Sequence, residues 1–122
     1  MARVPVNPAS RSSSSSSPNE NCLPRVLSII TENNADARNG DTSSFLEEHL
    51  AYVAKAIDEG ANVEGYYWWS LIDNYEWNNG MTYQFGLYAV NPDDPTKART
   101  MRPVAEAYQR IIRERKVGVT VE

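Results

Sequence analysis

Two apolar runs separated by one amphipathic stretch constrain the fold of this chain more than any other feature. Val26 to Ile30 is β-branched and apolar, and polar Thr31 to Asn34 follows at once, which predicts a buried strand ending in a loop. Val63 to Ile72 is continuous and rich in aromatic residues and predicts a second buried strand. A helical crossover of the intervening length joins two parallel strands with a right-handed connection. The sequence therefore predicts an α/β fold.

The stretch between these strands has the pattern of an amphipathic helix. Ser44 and Glu47 have the spacing of a capping box at its start, and Gly60 is the predicted stop. His49 is predicted to be an ordinary solvated position on this helix. The apolar residues that recur at helical spacing are Phe45, Leu46, Leu50, Val53, Ala54 and Ile57.

The C-terminal third adds a short strand and a second helix. Phe85 to Val90 predicts the strand, and a loop from Asn91 to Arg99 follows. Pro103 is a predicted first helical position, because a missing N–H costs nothing there. The apolar stripe of this helix is formed by Val104, Tyr108, Ile111 and Ile112.

Size and charge exclude several classes of function. With 122 residues, of which 41% are hydrophobic and 23% charged, the chain is predicted to bury the modest core of one small domain. Its formal net charge is −4, whereas proteins that bind nucleic acid usually present a basic face. We therefore expect neither a nucleic-acid partner nor binding to an acidic membrane surface.

The N-terminal stretch differs in composition from the rest. Arg3 and Arg11 are its only charged residues before Glu20, and Ser12 to Ser17 is an unbroken serine run. Such a tract cannot build a core, so residues 1–24 are predicted to be a disordered, serine-rich leader. An organelle transit peptide is the alternative, although the stretch has little amphipathic character.

Neither a cofactor nor a metal site is predicted. Cys22 is the single cysteine and His49 the single histidine, so the chain has no Cys/His set with the spacing of a structural zinc site. No run approaches the roughly 18 apolar residues of a membrane span. A cytoplasmic protein without a cofactor is the default expectation.

Carboxylates follow both predicted strands. Parallel strands end at a shared edge, where α/β proteins assemble their sites. Glu32 and the loop that carries Asp73 and Glu76 are therefore predicted to lie together. An isolated glutamate after a strand is most often a solvated loop residue or a cap for a following turn. The functional interpretation of Glu32 depends on the shared edge, because cleavage of a glycosidic bond requires two carboxyl groups.

Eight of the twelve aromatic residues lie between Tyr66 and Phe85, including all three tryptophans. For Tyr66, Tyr67 and Trp68 we predict core packing, because buried strand positions favour large rings. Trp77 differs, since it lies beyond the strand in the polar stretch from 73 to 80. An indole beside carboxylates and amides suits stacking against a sugar, and a turn with a partly buried anchor is an equal alternative.

Three motifs carry a family resemblance. They are Ser-Ile-Ile-Thr-Glu-Asn-Asn at 28–34, Trp-Ser-Leu-Ile-Asp-Asn-Tyr-Glu-Trp-Asn-Asn-Gly at 69–80, and Phe-Gly at 85–86. In order and spacing they resemble glycoside hydrolase family 1, the β-glucosidases and their relatives, over about residues 26–115. The resemblance implies a fragment of a (β/α)8 TIM barrel, corresponding to its last two strand-helix units, with residues 25–122 forming a partial glycoside hydrolase barrel.

The resemblance also implies roles for five residues. Glu32 corresponds to the catalytic nucleophile of the family motif Thr-Glu-Asn-Gly, in which Asn34 here replaces the glycine. Trp69 corresponds to the stacking floor of the glycone subsite. Glu76 and Trp77 correspond to hydrogen-bonding partners of the sugar hydroxyls, and Phe85 to the pocket wall.

The resemblance is incomplete in one respect that bears on activity. The family's acid/base motif, Thr-x-Asn-Glu-Pro, does not occur in these 122 residues. A neutral β-glycoside is the expected substrate, because Glu76 would repel a phosphorylated sugar. Open sheet edges predict a companion chain or self-association. A non-catalytic sugar-binding or assembly module and an inactive truncated product are the alternatives to a retaining β-glycosidase.

Overall fold

The computed structural model describes residues 26–122. The predicted leader 1–24, with its serine run and Cys22, lies outside the described residues. In chain order the main elements are β1 (Ser28–Asn33), α1 (Ser43–Asp58), β2 (Val63–Trp68), β3 (Tyr88–Val90), β4 (Arg99–Met101) and α2 (Pro103–Glu114). Two single-turn 3-10 helices lie at Ala37–Asn39 and Trp77–Asn79.

The predicted strand–helix–strand unit is confirmed. β1 and β2 pair in parallel, with Ile30 opposite Tyr66 and Asn33 opposite Trp68. The carboxyl ends of both strands therefore lie at one edge of the sheet.

β1 extends further than the apolar pattern predicts. It ends at Asn33, not at Ile30, because the Asn33 carbonyl still accepts a hydrogen bond from the Trp69 N–H (3.0 Å). The Asn33 side chain in turn donates to His49 Nδ1 on α1 (2.8 Å). Glu32 is thus the penultimate residue of the strand and not a loop residue. His49 is half-buried, and its ring centroid lies 4.0 Å from that of Phe45 with the planes tilted by 30°, so its prediction as a solvated position was wrong.

β2 ends earlier than predicted, at Trp68 and not at Ile72. The backbone changes partner after Trp69: Ser70 N–H donates to the Phe85 carbonyl (3.1 Å), and the Ser70 carbonyl accepts from Leu87 N–H (2.8 Å). Segment 70–72 therefore lies beside segment 85–88 in place of β1. A periodic pattern cannot reveal such an exchange, because the residues stay apolar on either side of it.

The predicted end of α1 is confirmed, but its predicted start is not. Its N-cap is Thr42, which makes no side-chain capping bond, so the predicted box was wrong. The Asp41 carboxylate instead accepts from the Ser43 N–H (3.0 Å) and hydroxyl (2.6 Å). The stop at Gly60 is confirmed: Gly60 has φ +108°, and the next N–H, of Ala61, donates back to Ala56 (2.8 Å), as in a Schellman motif.

The core lies between the two helices and one face of β2. Tyr66 and Trp68 are buried there, as predicted, and the Tyr108 hydroxyl donates to the Tyr66 carbonyl (3.1 Å). Tyr67 points to the other face, is half-buried and lies outside this core, so the core prediction was wrong for it. The other members of the core are Leu46, Leu50, Leu87, Val104, Ala105, Ala107 and Ile111.

α2 begins at Pro103 as predicted, and before it lies a hairpin that was predicted only in part. β3 is three residues long and pairs with β4 in antiparallel fashion, Tyr88 opposite Met101 and Val90 opposite Arg99. β4 has three exposed residues, so it carries no burial pattern by which it could be recognised. Within residues 26–122, neither helix has the length and apolarity needed to cross a membrane.

Candidate active site

The position of Glu32 depends on an irregularity in β1. Between the pairs Ile30–Tyr66 and Asn33–Trp68, β1 has two residues where β2 has one. Ile30 packs against the core and Asn33 bonds to α1, so both face the helices. Strict alternation from Ile30 would bury Glu32 in the same layer, but the extra residue of this bulge turns it to the opposite, exposed face.

The Glu32 carboxylate has no polar partner in the part of the chain that the structure describes. Among residues 26–122 it makes no hydrogen bond or ion pair, and the residue is exposed. An unpaired carboxylate at the end of a parallel strand is accessible for reaction with an electrophilic carbon.

A second group of candidate residues lies after β2. Trp69 Nε1 donates to Glu76 Oε1 at 3.0 Å. Glu76 is further held by its own backbone, whose N–H donates to the Gly80 carbonyl (2.7 Å). An open groove is lined here by Trp69, Asn74, Tyr75, Glu76, Trp77 and Asn78. The structure thus brings together three of the predicted sugar-contacting residues.

Trp77 is 86% exposed, which rules out the partly buried turn anchor that was its alternative interpretation. Its backbone has φ +47°, a left-handed conformation that costs a non-glycine residue on the order of 1–3 kcal/mol and is concentrated at functional sites. A large indole held in solvent by a strained backbone is a surface available for stacking.

Asp73 is not a free carboxylate, although its sequence position placed it among the candidates at this edge. It is buried and forms a two-pronged ion pair with Arg102, with both nitrogen–oxygen distances 2.8 Å. It also accepts from the N–H groups of Gly86 (2.9 Å) and Val90 (3.3 Å). Asp73 therefore anchors the loop that carries Glu76 and cannot act on a substrate.

Gly86 is required by this anchor. A Cβ at position 86 would lie 2.3 Å from the Asp73 backbone nitrogen, a distance no side chain tolerates. Sequence analysis missed the roles of Asp73, Arg102 and Gly86. The available signal was an aspartate directly after an apolar run together with an arginine directly before a helix-starting proline.

Phe85 lies apart from the groove that Trp77 lines. Its carbonyl accepts from Trp68 Nε1 (2.9 Å), which ties it to the core. Its ring stacks in parallel on Tyr83 at 5.4 Å, and the Arg38 guanidinium lies 4.5 Å above the Tyr83 ring. Glu32 also does not line the groove. Of the predicted site residues, Trp69, Glu76 and Trp77 therefore share one groove, and Glu32 and Phe85 lie outside it.

The loop after β1 contacts the loop from 73 to 86 directly. Asp36 accepts from the Gln84 N–H (3.3 Å), and Ala37 N–H donates to the Gln84 carbonyl (3.0 Å). Partial burial acts to raise the pKa of Asp36, but hydrogen bonds from Arg38 and Gln84 outweigh it and hold that pKa below its ordinary value. The carboxylate is therefore charged where it holds the two loops together.

Comparison with known proteins decides the family. The model of the family described as Glycosyl hydrolase family 1 matches residues 19–117, most of the chain. The chain belongs to this family. Family 1 membership confirms the resemblance carried by the motifs around Glu32 and Trp69. The relatives of the chain include β-glucosidases and β-galactosidases.

Two curated relatives illustrate the similarity of this family 1 chain. It is 47% identical over 78 residues to the isoflavonoid 7-O-beta-apiosyl-glucoside beta-glycosidase of Dalbergia nigrescens, covering 53% of the chain and 14% of that protein. It is 43% identical over 83 residues to a beta-galactosidase of Saccharolobus solfataricus, covering 67% of the chain and 17% of the relative. The chain thus spans less than a fifth of the length of these relatives.

Solved structures agree. The beta-glucosidase of Pyrococcus furiosus superposes with a TM-score of 0.67 at 43% identity, over 73% of this chain and 19% of the other. The beta-glycosidase of Pyrococcus horikoshii superposes with a TM-score of 0.67 at 38% identity, over 75% of this chain and 21% of the other. These neighbours are (β/α)8 barrel enzymes, so the family 1 chain has the fold of part of such a barrel.

Proposed function

We propose that this chain supplies the nucleophile and part of the glycone pocket of a retaining β-glycosidase that acts on neutral β-glycosides, as the last two strand-helix units of its barrel. One observation carries the proposal. The Trp69 indole donates to the Glu76 carboxylate at the end of β2, beside the strand end that bears the exposed Glu32. A stacking surface, a hydroxyl acceptor and a nucleophile thus occupy one sheet edge.

The reaction follows from two carboxyl groups on either side of the glycosidic bond. The Glu32 carboxylate attacks the anomeric carbon, and the bond to the leaving oxygen breaks as a second carboxyl group protonates that oxygen. The same second group then removes a proton from water, which attacks the anomeric carbon and releases Glu32. In a retaining enzyme the two carboxyl groups lie roughly 5 Å apart.

Glu76 does not serve as that second carboxyl group in the proposal. One of its oxygens already accepts from Trp69 (3.0 Å), which suits an acceptor of sugar hydroxyls and not a proton donor to the leaving group. The acid/base group therefore comes from the remainder of a family 1 barrel. A (β/α)8 barrel in general has eight strands and about 250 residues or more.

The substrate is inferred from the chemistry of the groove. Trp77 and Trp69 offer apolar faces for the C–H surface of a pyranose ring, and Glu76 offers a charged acceptor. A carboxylate repels a phosphorylated sugar, so the glycone is neutral. A glucoside or a galactoside agrees with the names of the relatives.

The surface of β1 supports joining to further barrel units. Among residues 26–122, β1 pairs only with β2, which leaves its outer edge open. Val26 and Leu27, directly before β1, and Ile29 within it are exposed, at 74%, 52% and 47%. An open edge with exposed apolar side chains favours addition of another strand.

Complementation tests the proposal. The chain is mixed with a polypeptide carrying the first six strand-helix units of a family 1 β-glucosidase, and hydrolysis of an aryl β-glucoside is followed. We expect hydrolysis only with both polypeptides, and Glu32→Gln should lower it by at least about 10⁴-fold. Glu48→Gln, an exposed carboxylate on α1, is the matched control. A restored rate that survives Glu32→Gln excludes Glu32 as the nucleophile.

A second candidate function is sugar binding without catalysis. The groove around Trp69, Glu76 and Trp77 is formed entirely by this chain and does not include Glu32. Titration of the isolated chain with glucose, followed by tryptophan fluorescence, distinguishes the two functions. Binding by the isolated chain together with failure of complementation favours the sugar-binding module.

A further inference from the structure

Gln84 connects three segments that are distant in sequence. Its backbone exchanges hydrogen bonds with the loop after β1, through the Asp36 carboxylate (3.3 Å) and the Ala37 N–H (3.0 Å). Its side-chain oxygen accepts from Arg102 NH2 (3.1 Å), directly before α2. Within the part of the chain that the structure describes, this side chain is the link between the Asp36 loop and the guanidinium.

Arg102 extends the connection to the loop that carries Glu76. Besides Gln84, it donates to both Asp73 oxygens (2.8 Å each) and to the Gly86 carbonyl. Asp73 and Arg102 are 5% and 12% exposed at their side chains. Charge-assisted hydrogen bonds in such a shielded setting are strong and polarise one another, and here they join four residues in one continuous network.

The path brackets the groove residues. Asp73 and Gln84 lie near the two ends of the loop from 73 to 86, and Glu76 and Trp77 lie between them. Glu32 lies on β1, four residues before Asp36. The connected residues therefore set the position of the groove loop relative to the strand end.

We propose that Gln84 and Arg102 are positioning residues, through which the path Asp36–Gln84–Arg102–Asp73 aligns the Glu76 loop with the end of β1. The proposal deepens the proposed glycosidase function and rests on it for the identity of the aligned groups. Neither residue touches the substrate. Both act through the backbone that presents Glu76, Trp77 and Glu32.

The alignment of the Glu76 loop with the end of β1 is tested by the indole N–H signals in 1H–15N correlation spectra of the full chain. The Trp69 indole bonds to Glu76 and reports on the groove loop. Trp77 is 86% exposed, so its indole proton meets solvent wherever the loop lies and gives the reference rate of exchange. Gln84→Met preserves the side-chain volume and removes the acceptor for Arg102. Gln109→Met makes the same chemical change at an exposed position of α2 and is the matched control. Gln84→Glu restores an acceptor.

We expect Gln84→Met to speed solvent exchange of the Trp69 indole proton roughly three- to tenfold, with the exchange rate of the exposed Trp77 proton unchanged. Gln109→Met and Gln84→Glu should behave like the parent chain. If the Gln84→Met variant does not fold, Gln84→Ala takes its place and is compared with Gln84→Glu. Alanine removes the acceptor and leaves a small space. The proposal is overturned if the Trp69 indole proton exchanges at the same rate in Gln84→Met and Gln109→Met. It is also overturned if this proton exchanges as fast in Gln84→Glu as in Gln84→Met.

A glucose titration of the same samples separates this proposal from the proposed function. A Trp69 response in a chain that neither binds glucose nor restores hydrolysis leaves the positioning path intact and removes the glycosidase role. Glucose binding or restored hydrolysis without a Trp69 response supports the proposed function and removes the positioning path.

Discussion

Trp69 Nε1 lies 3.0 Å from Glu76 Oε1, so the end of β2 is bonded directly to the loop that follows it. This contact holds an aromatic face and a carboxylate at one groove while leaving the second Glu76 oxygen for a ligand. Pre-organised groups of this kind lose little entropy when a sugar binds.

We expect Glu76→Gln to weaken glucose binding by about tenfold or more. A hydrogen bond to a charged acceptor contributes about 1.5–3 kcal/mol, more than one to a neutral amide. Fluorescence titration measures the change, and Glu106→Gln, at an exposed position of α2, is the control. Equal affinities of the two variants would argue that Glu76 does not contact the sugar.

Asp73→Asn should lower the free energy of unfolding by about 3 kcal/mol or more, because it leaves the shielded Arg102 guanidinium without its counter-charge. Glu47→Gln breaks an exposed ion pair between α1 and Arg110 and should cost no more than about 1 kcal/mol. Urea unfolding of both variants makes the comparison. Similar losses of unfolding free energy in the two variants would mean that the Asp73–Arg102 ion pair stabilises the chain no more than the exposed pair does.

Gly86→Ala should destabilise the chain by about 1–3 kcal/mol, since the added carbon would lie 2.3 Å from the Asp73 nitrogen. Gly118→Ala is the matched control, because nothing lies within 4 Å of its added carbon. Thermal unfolding of the two variants reports the difference. An unchanged melting temperature for Gly86→Ala would show that the two segments separate without cost.

Alkaline pH should unfold the chain through its buried tyrosines. Burial raises the pKa of Tyr108 from 10.0 to about 12, and burial, with a further contribution from Tyr108, also raises the pKa of Tyr66. The neutral phenols are favoured in the folded state, so their contribution to stability is present below pH 10 and is lost as the pH rises through 12. Tyrosinate absorbance and circular dichroism, followed together, should show Tyr66 and Tyr108 ionising only as the chain unfolds. Ionisation of these two buried phenols in a chain that stays folded contradicts this.

Acid should loosen the contact between the two loops. The lowered pKa of Asp36 stabilises the fold above the ordinary carboxyl value of 3.8, and this contribution is lost as the pH falls through the lower folded value. The stability difference between the parent chain and Asp36→Asn should therefore shrink below about pH 4. Urea unfolding across this range measures it, and a pH-independent difference argues against a charged Asp36 in the contact.

Local patterns were sufficient for much of the architecture. Helical periodicity with a glycine at position 60 predicted α1 and its end, and proline at position 103 predicted the start of α2. The motifs around Glu32 and Trp69 indicated the family. The extents of β1 and β2 were wrong, because strand ends depend on which segment supplies the next hydrogen bond.

The sequence by itself determined the order of β1, α1, β2 and α2, the parallel pairing and the residue types at the candidate site, since periodicity and backbone preferences act over a few neighbouring residues. Only the tertiary structure decided which face Glu32 occupies and that Asp73 is an anchor. The first depends on a two-against-one register between β1 and β2. The second depends on an ion pair between residues 29 positions apart, and both arise from packing between segments that no local pattern relates.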